Sequence, residues 1–303
     1  MMRSRCSIGE IFYLYLFSMY CLFLELLGKF WFKSGLTGKV FMRCEGRTAV
    51  VTGGTNGIGY ETVKKLLGFG MNVIIASNTS AADSECCLQI LRSLFPKSKA
   101  GIMFAPRKIT DEGFESHLAI NYYSHALLTK LLLPRLKESA SPSCKTRVIN
   151  VSSCLHYISE IDFSDINSIS SYCPHHAYMQ SKVCLMLFTL ALNGYLKNSR
   201  IPVLVNCIHP GIVYTDLYKH VWWPKFVGPF LFQKPIKGAE VTVYAALSAA
   251  LEAEGGKYIE DCREMKPSQY SRDPLLQTRL WNDTWKTLHP WLDEVDDVDL
   301  SKE

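Results

Sequence analysis

The chain has 303 residues, 48% of them hydrophobic, enough to bury one large core, and no second domain is visible. Its net charge of +5 comes from scattered lysines and arginines, without a basic stripe interleaved with aromatics, which excludes nucleic acid as an expected partner. Eleven cysteines, an odd number without paired Cys-x-x-Cys spacing, speak for a reduced compartment and against a disulfide framework or a zinc site.

The first element is apolar. Ile11 to Leu27 is interrupted only by Ser18 and Glu25, at the short end for a membrane-spanning helix. Phe30, Trp31 and Phe32 continue it like an interfacial aromatic belt. No small-residue cleavage site follows, so a signal anchor is expected over a cleaved leader. Arg3 and Arg5 precede the run, while Lys29, Lys33, Lys39, Arg43 and Arg47 follow it, which predicts a cytosolic catalytic domain. The alternative is a core or amphipathic surface helix. Residues 1–45 thus read as anchor and linker.

From residue 46 to 265 strands and helices alternate. Thr48-Ala-Val-Val-Thr52 predicts a strand, and Met71 to Ala76 a second, with a helix over Ala81 to Phe95 after it. Asn121 to Lys137 predicts a long helix, and Arg147 to Ser153 a buried strand ending in two hydroxyls. A helix over Ala177 to Leu196 follows, then a buried strand over Pro202 to Ile208. The aromatic patch Val221 to Phe232, a helix over Gly238 to Leu251, and a last strand at Gly255 to Tyr258 complete the series. Alternation with continuously apolar strands predicts an α/β fold, a doubly wound parallel sheet in a single domain behind an N-terminal hydrophobic helix. The polar residues 266–303, acidic from Asp293 to Asp299, read as a solvated tail.

Two stretches carry chemistry. Between the first strand and the helix-like Tyr60 to Leu67 lies Gly53-Gly-Thr-Asn-Gly-Ile-Gly59, the strand–turn–helix arrangement that cradles a pyrophosphate at a helix N-terminus. Gly53 permits the tight turn, Gly57 the approach of backbone to phosphate, and Gly59 the packing of helix on strand. Tyr178-Met-Gln-Ser-Lys182 sets a phenol and an ammonium one helical turn apart. A phenol of pKa about 10 works at neutral pH only where a neighbour stabilises its phenolate. Ser153 is the better residue to hold a substrate oxygen, with Ser152 as the alternative, because one residue of register turns a strand side chain to the other face.

This order of Gly-rich turn, Ser-Ser strand end and Tyr-x-x-x-Lys resembles the short-chain dehydrogenase/reductase family, over about Gly46 to Tyr258. The membrane-associated branch that includes retinol dehydrogenases is the most similar, by Gly53 to Tyr60, Thr215 to His220 and the long Ser153–Tyr178 spacing. The resemblance implies a Rossmann-like fold and an Asn121–Ser153–Tyr178–Lys182 tetrad, in which Asn121 helps anchor a water linked to the lysine. It implies cofactor contacts from Thr52, Gly53, Thr55, Asn56, Gly57, Ile58 and Gly59, from Tyr178 and Lys182, and from the Pro-Gly turn. That turn supplies Pro210, Gly211, Val213 and Thr215, which close over the nicotinamide. Cofactor choice falls at the end of the second strand, where Ser77 and Asn78 offer neither acid nor base. Either NADP or NAD is admitted, with a lean to NADP because no acid repels the 2′-phosphate. The implied activity is interconversion of a lipophilic, polyprenol- or retinol-like alcohol and its carbonyl, at the endoplasmic reticulum or a lipid droplet.

One feature departs from the family. A βαβ unit takes roughly 30 residues, so four strands with three crossovers need about 90. Only 52 positions separate Thr48 from Ala100, yet Ala100 to Pro106 is similar to the tail of the family's Asn-Asn-Ala-Gly strand end, with Ser98 and Lys99 in place of the asparagines. About one β-α-β repeat is therefore expected to be missing around 96–100, leaving a hole beside the first strand. The alternatives to an active enzyme on a lipophilic alcohol are an impaired shortened form with a binding or regulatory role, and a soluble carbonyl reductase.

Overall fold

The computed structural model describes residues 7–31, 36, 38–42, 44–76 and 101–292. The flanking Arg3, Arg5, Phe32, Lys33 and Arg43, the expected cofactor residues Ser77 and Asn78, the helix over 81–95, the junction at 96–100 and the acidic end from 293 lie outside the described residues.

Helix α1 (Ile8–Trp31) comes first. Strand β1 (Thr48–Thr52), helix α2 (Gly57–Gly68) and strand β2 (Asn72–Ala76) form a right-sized parallel unit, with Thr48 opposite Asn72 and Thr52 opposite Ala76. Residues 101–106 then run as coil into a π turn (Ala119–Tyr123), which leads into helix α3 (Ser124–Glu138). A second sheet follows, built from β3 (Thr146–Val151), β4 (Val203–His209), β5 (Tyr258–Glu260) and β6 (Arg263–Met265) in that order. Helix α4 (Pro174–Asn198) connects β3 to β4, while α5 (Pro224–Leu231) and α6 (Pro235–Leu247) lead from β4 to β5.

The alternation is the expected α/β one, and all seven residues of β4 are buried because helices cover both its faces. Two details differ from a single parallel sheet. β6 runs antiparallel to β5, a three-residue return that ends the sheet. More consequentially, β1–β2 and β3–β4–β5–β6 are separate sheets, and no strand stands between β1 and β3 among the described residues. Apolar strand residues that a complete sheet would bury are exposed at this break: Val50 by 42%, Ile74 by 42% and Val151 by 38%. The small sheet is held by helix packing instead, with Leu66 of α2 against Val243 and Leu247 of α6 and with Ala49, Val51 and Val73 beneath them. At its base the Arg47 guanidinium donates to the Lys145 carbonyl at 3.0 Å.

The polar stretch after residue 265 is not a solvated tail as far as Leu292. Helix α7 (Pro274–Leu288), capped by Asp273, lays Leu280, Trp285 and Leu288 against Phe188, Leu192 and Leu196 of α4 in the largest core cluster. The cysteines correct the first reading in one respect. Among the described residues seven are free, and Cys173 is disulfide-bonded.

Trp285→Ala removes a buried ring from that cluster and is expected to cost about 3–5 kcal/mol of folding free energy. Denaturant unfolding checks this; a loss below about 0.5 kcal/mol would mean α7 is an appendage after all.

Candidate active site

The Gly-rich turn has the local geometry its sequence calls for. Thr52 ends β1, and Gly53 (φ +65°) and Gly57 (φ +55°) adopt a left-handed backbone that side chains disfavour. A Cβ on Gly59 would run into the Gly53 carbonyl, so only glycine lets α2 start this close to the strand end. Asn56 caps α2, its side-chain oxygen accepting the Gly57 N–H at 2.7 Å, while Thr55 stays exposed and Ile58 points into the neighbouring cavity. The free N–H groups of this helix start are a donor set for an anion.

The Pro-Gly turn meets it from across the cleft. Thr215 lies against Gly57, where an added Cβ would meet the Thr215 methyl at 3.4 Å. Asn56 Nδ2 donates to the Asp216 carboxylate at 2.6 Å, tying the two turns together. Gly211 (φ +88°) turns the chain after Pro210, and Val213 is buried beside α6.

The two serines at the strand end have different partners. Ser152 Oγ donates to the Lys182 carbonyl at 2.8 Å and is used up in fastening β3 to α4. Ser153 lies by the Tyr178 phenol instead, and its Oγ accepts the Leu155 N–H at 3.3 Å. Burial pushes the Tyr178 phenol well above its ordinary pKa, and the neighbouring Ser153 hydroxyl offsets part of that rise. One turn along α4, Lys182 Nζ lies 5.7 Å from the centre of the Tyr178 ring and donates to the Val151 carbonyl at 2.8 Å. Burial lowers its pKa to about 8.

Asn121 sits in the π turn, where a locally widened helix frees backbone groups. Its side chain clamps the coil that follows the break: Oδ1 accepts the Ile102 N–H at 2.9 Å and Nδ2 donates to the Ile102 carbonyl at 3.0 Å. It also donates to Ser181 Oγ at 2.9 Å, beside Lys182. The four tetrad residues are therefore brought together, with Asn121 reaching the lysine through its sequence neighbour.

Ser153, Tyr178 and Lys182 open onto a cavity of about 160 Å³ that also has Ile58, Pro210, Gly211, Val213 and Thr215 in its walls. Three contributors were not anticipated. Phe104, at φ +50°, sets its ring edge-on to Tyr178 with centroids 5.3 Å apart. His209 is buried at the end of β4. Helix α1 contributes Leu14, Tyr15, Ser18, Met19 and Leu22 to the cavity and places Glu25 against His209, Oε1 to Nε2 at 3.5 Å. The signal for Glu25 was a lone acid in an apolar run. Among the described residues no group of three or more metal-binding side chains occurs.

A glycine-lined helix start facing a Ser–Tyr–Lys constellation defines a dinucleotide-type oxidoreductase site. No family model matches the chain. Human polyprenol dehydrogenase is 38% identical over 82% of this chain and 87% of its own length. Mouse retinol dehydrogenase 13 is 34% identical over 79% and 83%. An uncharacterized protein from Mycobacterium Paratuberculosis shares the fold, with a TM-score of 0.63, 27% identity, and coverage of 81% of this chain and 94% of its own. The chain belongs to the short-chain dehydrogenase/reductase family of NAD(P)-dependent oxidoreductases. The alignment with the human relative runs over 288 positions yet takes up 82% of 303 residues, about 248, so roughly 40 positions of the relative face no residue here.

Proposed function

We propose that this chain interconverts a lipophilic, polyprenol- or retinol-like alcohol and its carbonyl with NADP or NAD. The observation that carries the reading is the meeting of Ser153, Tyr178 and Lys182 in a cavity whose other walls are largely apolar. Polyprenol and retinol dehydrogenases among the relatives support a long apolar substrate.

The residues present fit a dinucleotide at its pyrophosphate end. Gly53, Gly57 and Gly59 leave room for phosphate against the N–H groups of α2, and Thr215 faces them. Ser77 and Asn78, on which the preference for NADP rests, lie outside the described residues. The dinucleotide, when bound, supplies or accepts the hydride. Ser153 Oγ holds the substrate oxygen, and Tyr178 passes the proton to or from it. The buried phenol keeps its proton at neutral pH, the state needed to donate to a carbonyl. Lys182, with a pKa near 8, carries charge close to the phenol and stabilises the phenolate left behind.

Tyr178→Phe keeps the ring and removes the transferable proton. Turnover of a retinol-like aldehyde should fall by about 10² to 10⁴ with unfolding unchanged. A variant that keeps more than about a tenth of the rate would remove Tyr178 from the acid/base role.

The reading includes membrane association, at the endoplasmic reticulum or a lipid droplet with the catalytic domain cytosolic. α1 is apolar and long enough to cross a membrane, and its outer face exposes Phe12, Leu16, Tyr20 and Phe23. Trp222, Phe226 and Phe230, at or on α5, are 69–85% exposed. A chain lacking residues 1–33 should leave the membrane on carbonate extraction; its retention would assign the anchoring to the α5 patch.

The break between β1 and β3 favours a second, compatible reading: the shortened chain is a weak enzyme. The strand expected beside β1 carries part of the adenine and ribose contacts, and each lost hydrogen bond to a buried ligand group costs about 1–3 kcal/mol. Restoring a strand–helix–strand segment of about 40 residues between Phe95 and Ala100 is expected to tighten NADPH binding by roughly 10² or more, read by titration calorimetry. Low-micromolar affinity and ordinary turnover of the shortened chain would show that its own residues rebuild the floor.

A further inference from the structure

Helix α1 does more than lie near the active site. Leu14, Ser18, Leu22 and Glu25 recur at helical spacing and form one stripe, which enters the cleft between β4 and the segment before α5. Leu14 is 2% exposed and packs on Tyr178, Met103, Leu155 and Val221. Tyr15 stacks edge-on to Trp223 and His175.

Glu25 closes the stripe. Its carboxylate accepts the Ile212 N–H at 3.0 Å and the Gln233 Nε2–H at 2.8 Å, with His209 Nε2 at 3.5 Å. Oε2 lies 3.3 Å from where a Cβ on Gly211 would be. The carboxylate thus sits on the backbone of the turn that, under the reading above, closes over the nicotinamide. Both carboxylate oxygens already share the Ile212 N–H, at 3.0 and 3.1 Å, so a ligand approaching that donor competes with Glu25.

The space left is also too small. Sites for small molecules usually enclose about 300–1,000 Å³. The cavity between α1 and the catalytic residues is about 160 Å³ and would have to take the nicotinamide and the reacting end of a substrate together. A helix that were merely one wall of the site would leave that room.

We propose that α1 is an autoinhibitory plug: docked, it occupies the nicotinamide and substrate end of the cleft through Glu25, Leu22 and Leu14, and dinucleotide binds once it withdraws. The proposal rests on the dinucleotide reading of the site. A lipid surface is the competing partner for the withdrawn helix, because seven or more of its large apolar side chains already face outward when it is docked.

The test uses the thiols of Cys21 on α1 and Cys154 behind Ser153, which are neighbours in the docked state and are both free. Copper-phenanthroline oxidation of the full chain should join them, as shown by peptide mass mapping with Cys21→Ser as control. The joined protein should bind NADPH at least tenfold more weakly than the reduced one, and dithiothreitol should restore binding. Saturating NADPH, or phosphatidylcholine vesicles, should each suppress the joining. Glu25→Ala, which removes the carboxylate from Ile212 and Gln233, should tighten NADPH binding about tenfold. Equal NADPH affinity of joined and reduced protein overturns the plug and leaves the dinucleotide site standing. Joining unaffected by vesicles overturns lipid as the releasing partner. No NADPH binding by any form, Glu25→Ala included, overturns both the plug and the dinucleotide reading.

Discussion

A parallel strand is stable where it is paired on both sides and covered on both faces, and among the described residues β1 has a partner on one side only. Much of the rest of the molecule is arranged around that vacancy. The β1–β2 unit joins the larger sheet through α2 and α6, not through a ladder of backbone bonds. Side-chain packing of this kind fixes distance well and rotation less well, since it has no register. Polar ties from Arg47 to the Lys145 carbonyl and from Asn56 to Asp216 fall at opposite ends of β1 and restrain the rotation that packing leaves free.

The same vacancy explains why Asn121 matters to the fold as well as to the site. Among the described residues 101–106 join no ladder, so without Asn121 the amide of Ile102 would lack those partners in the interior. Asn121 supplies both, one donor and one acceptor from a single side chain. Because Asn121 also holds Ser181, the coil, the π turn and α4 are fixed relative to one another. That places Phe104 edge-on to Tyr178. A loop thus performs the positioning that a strand end performs in a continuous sheet.

Legibility in the sequence followed the range of the interactions. The Gly-rich turn and the Tyr178–Lys182 pair are local: their geometry is set by a handful of consecutive residues, and the structure has both. The shortage of residues between Thr48 and Ala100 was countable, and among the described residues β1–β2 and β3–β6 are separate sheets. Sequence could not show the different surroundings of Ser153 and Ser152, because the bond that engages Ser152 is long-range, to the Lys182 carbonyl. α7 was missed for a different reason. Its average composition is polar, but Trp281, Trp285 and Leu288 stand at helical spacing, and periodicity, not mean hydropathy, reports a packed face. Glu25 was visible as an oddity whose partners, Ile212, Gln233 and His209, lie about 190 positions away.

The position of α1 follows from the same physics as the exposed edge. The cleft over Tyr178 is walled by Leu155, Val221, Trp223 and Met103, and a site shaped for an apolar substrate is an apolar surface exposed to water when that substrate is absent. The nearest apolar segment able to cover it belongs to the chain itself. What makes the contact specific is Glu25, since burying a carboxylate among leucines is unfavourable unless donors meet it, and this cleft offers the Ile212 N–H and Gln233, with His209 Nε2 3.5 Å away. In hydrocarbon the same acid would face no donors, so membrane and cleft compete for α1 with opposite preferences for its two halves: lipid for the outward Phe12, Leu16 and Phe23, the cleft for Glu25. A helix balanced in this way changes partners at modest cost, which is the property a plug requires and a plain anchor does not.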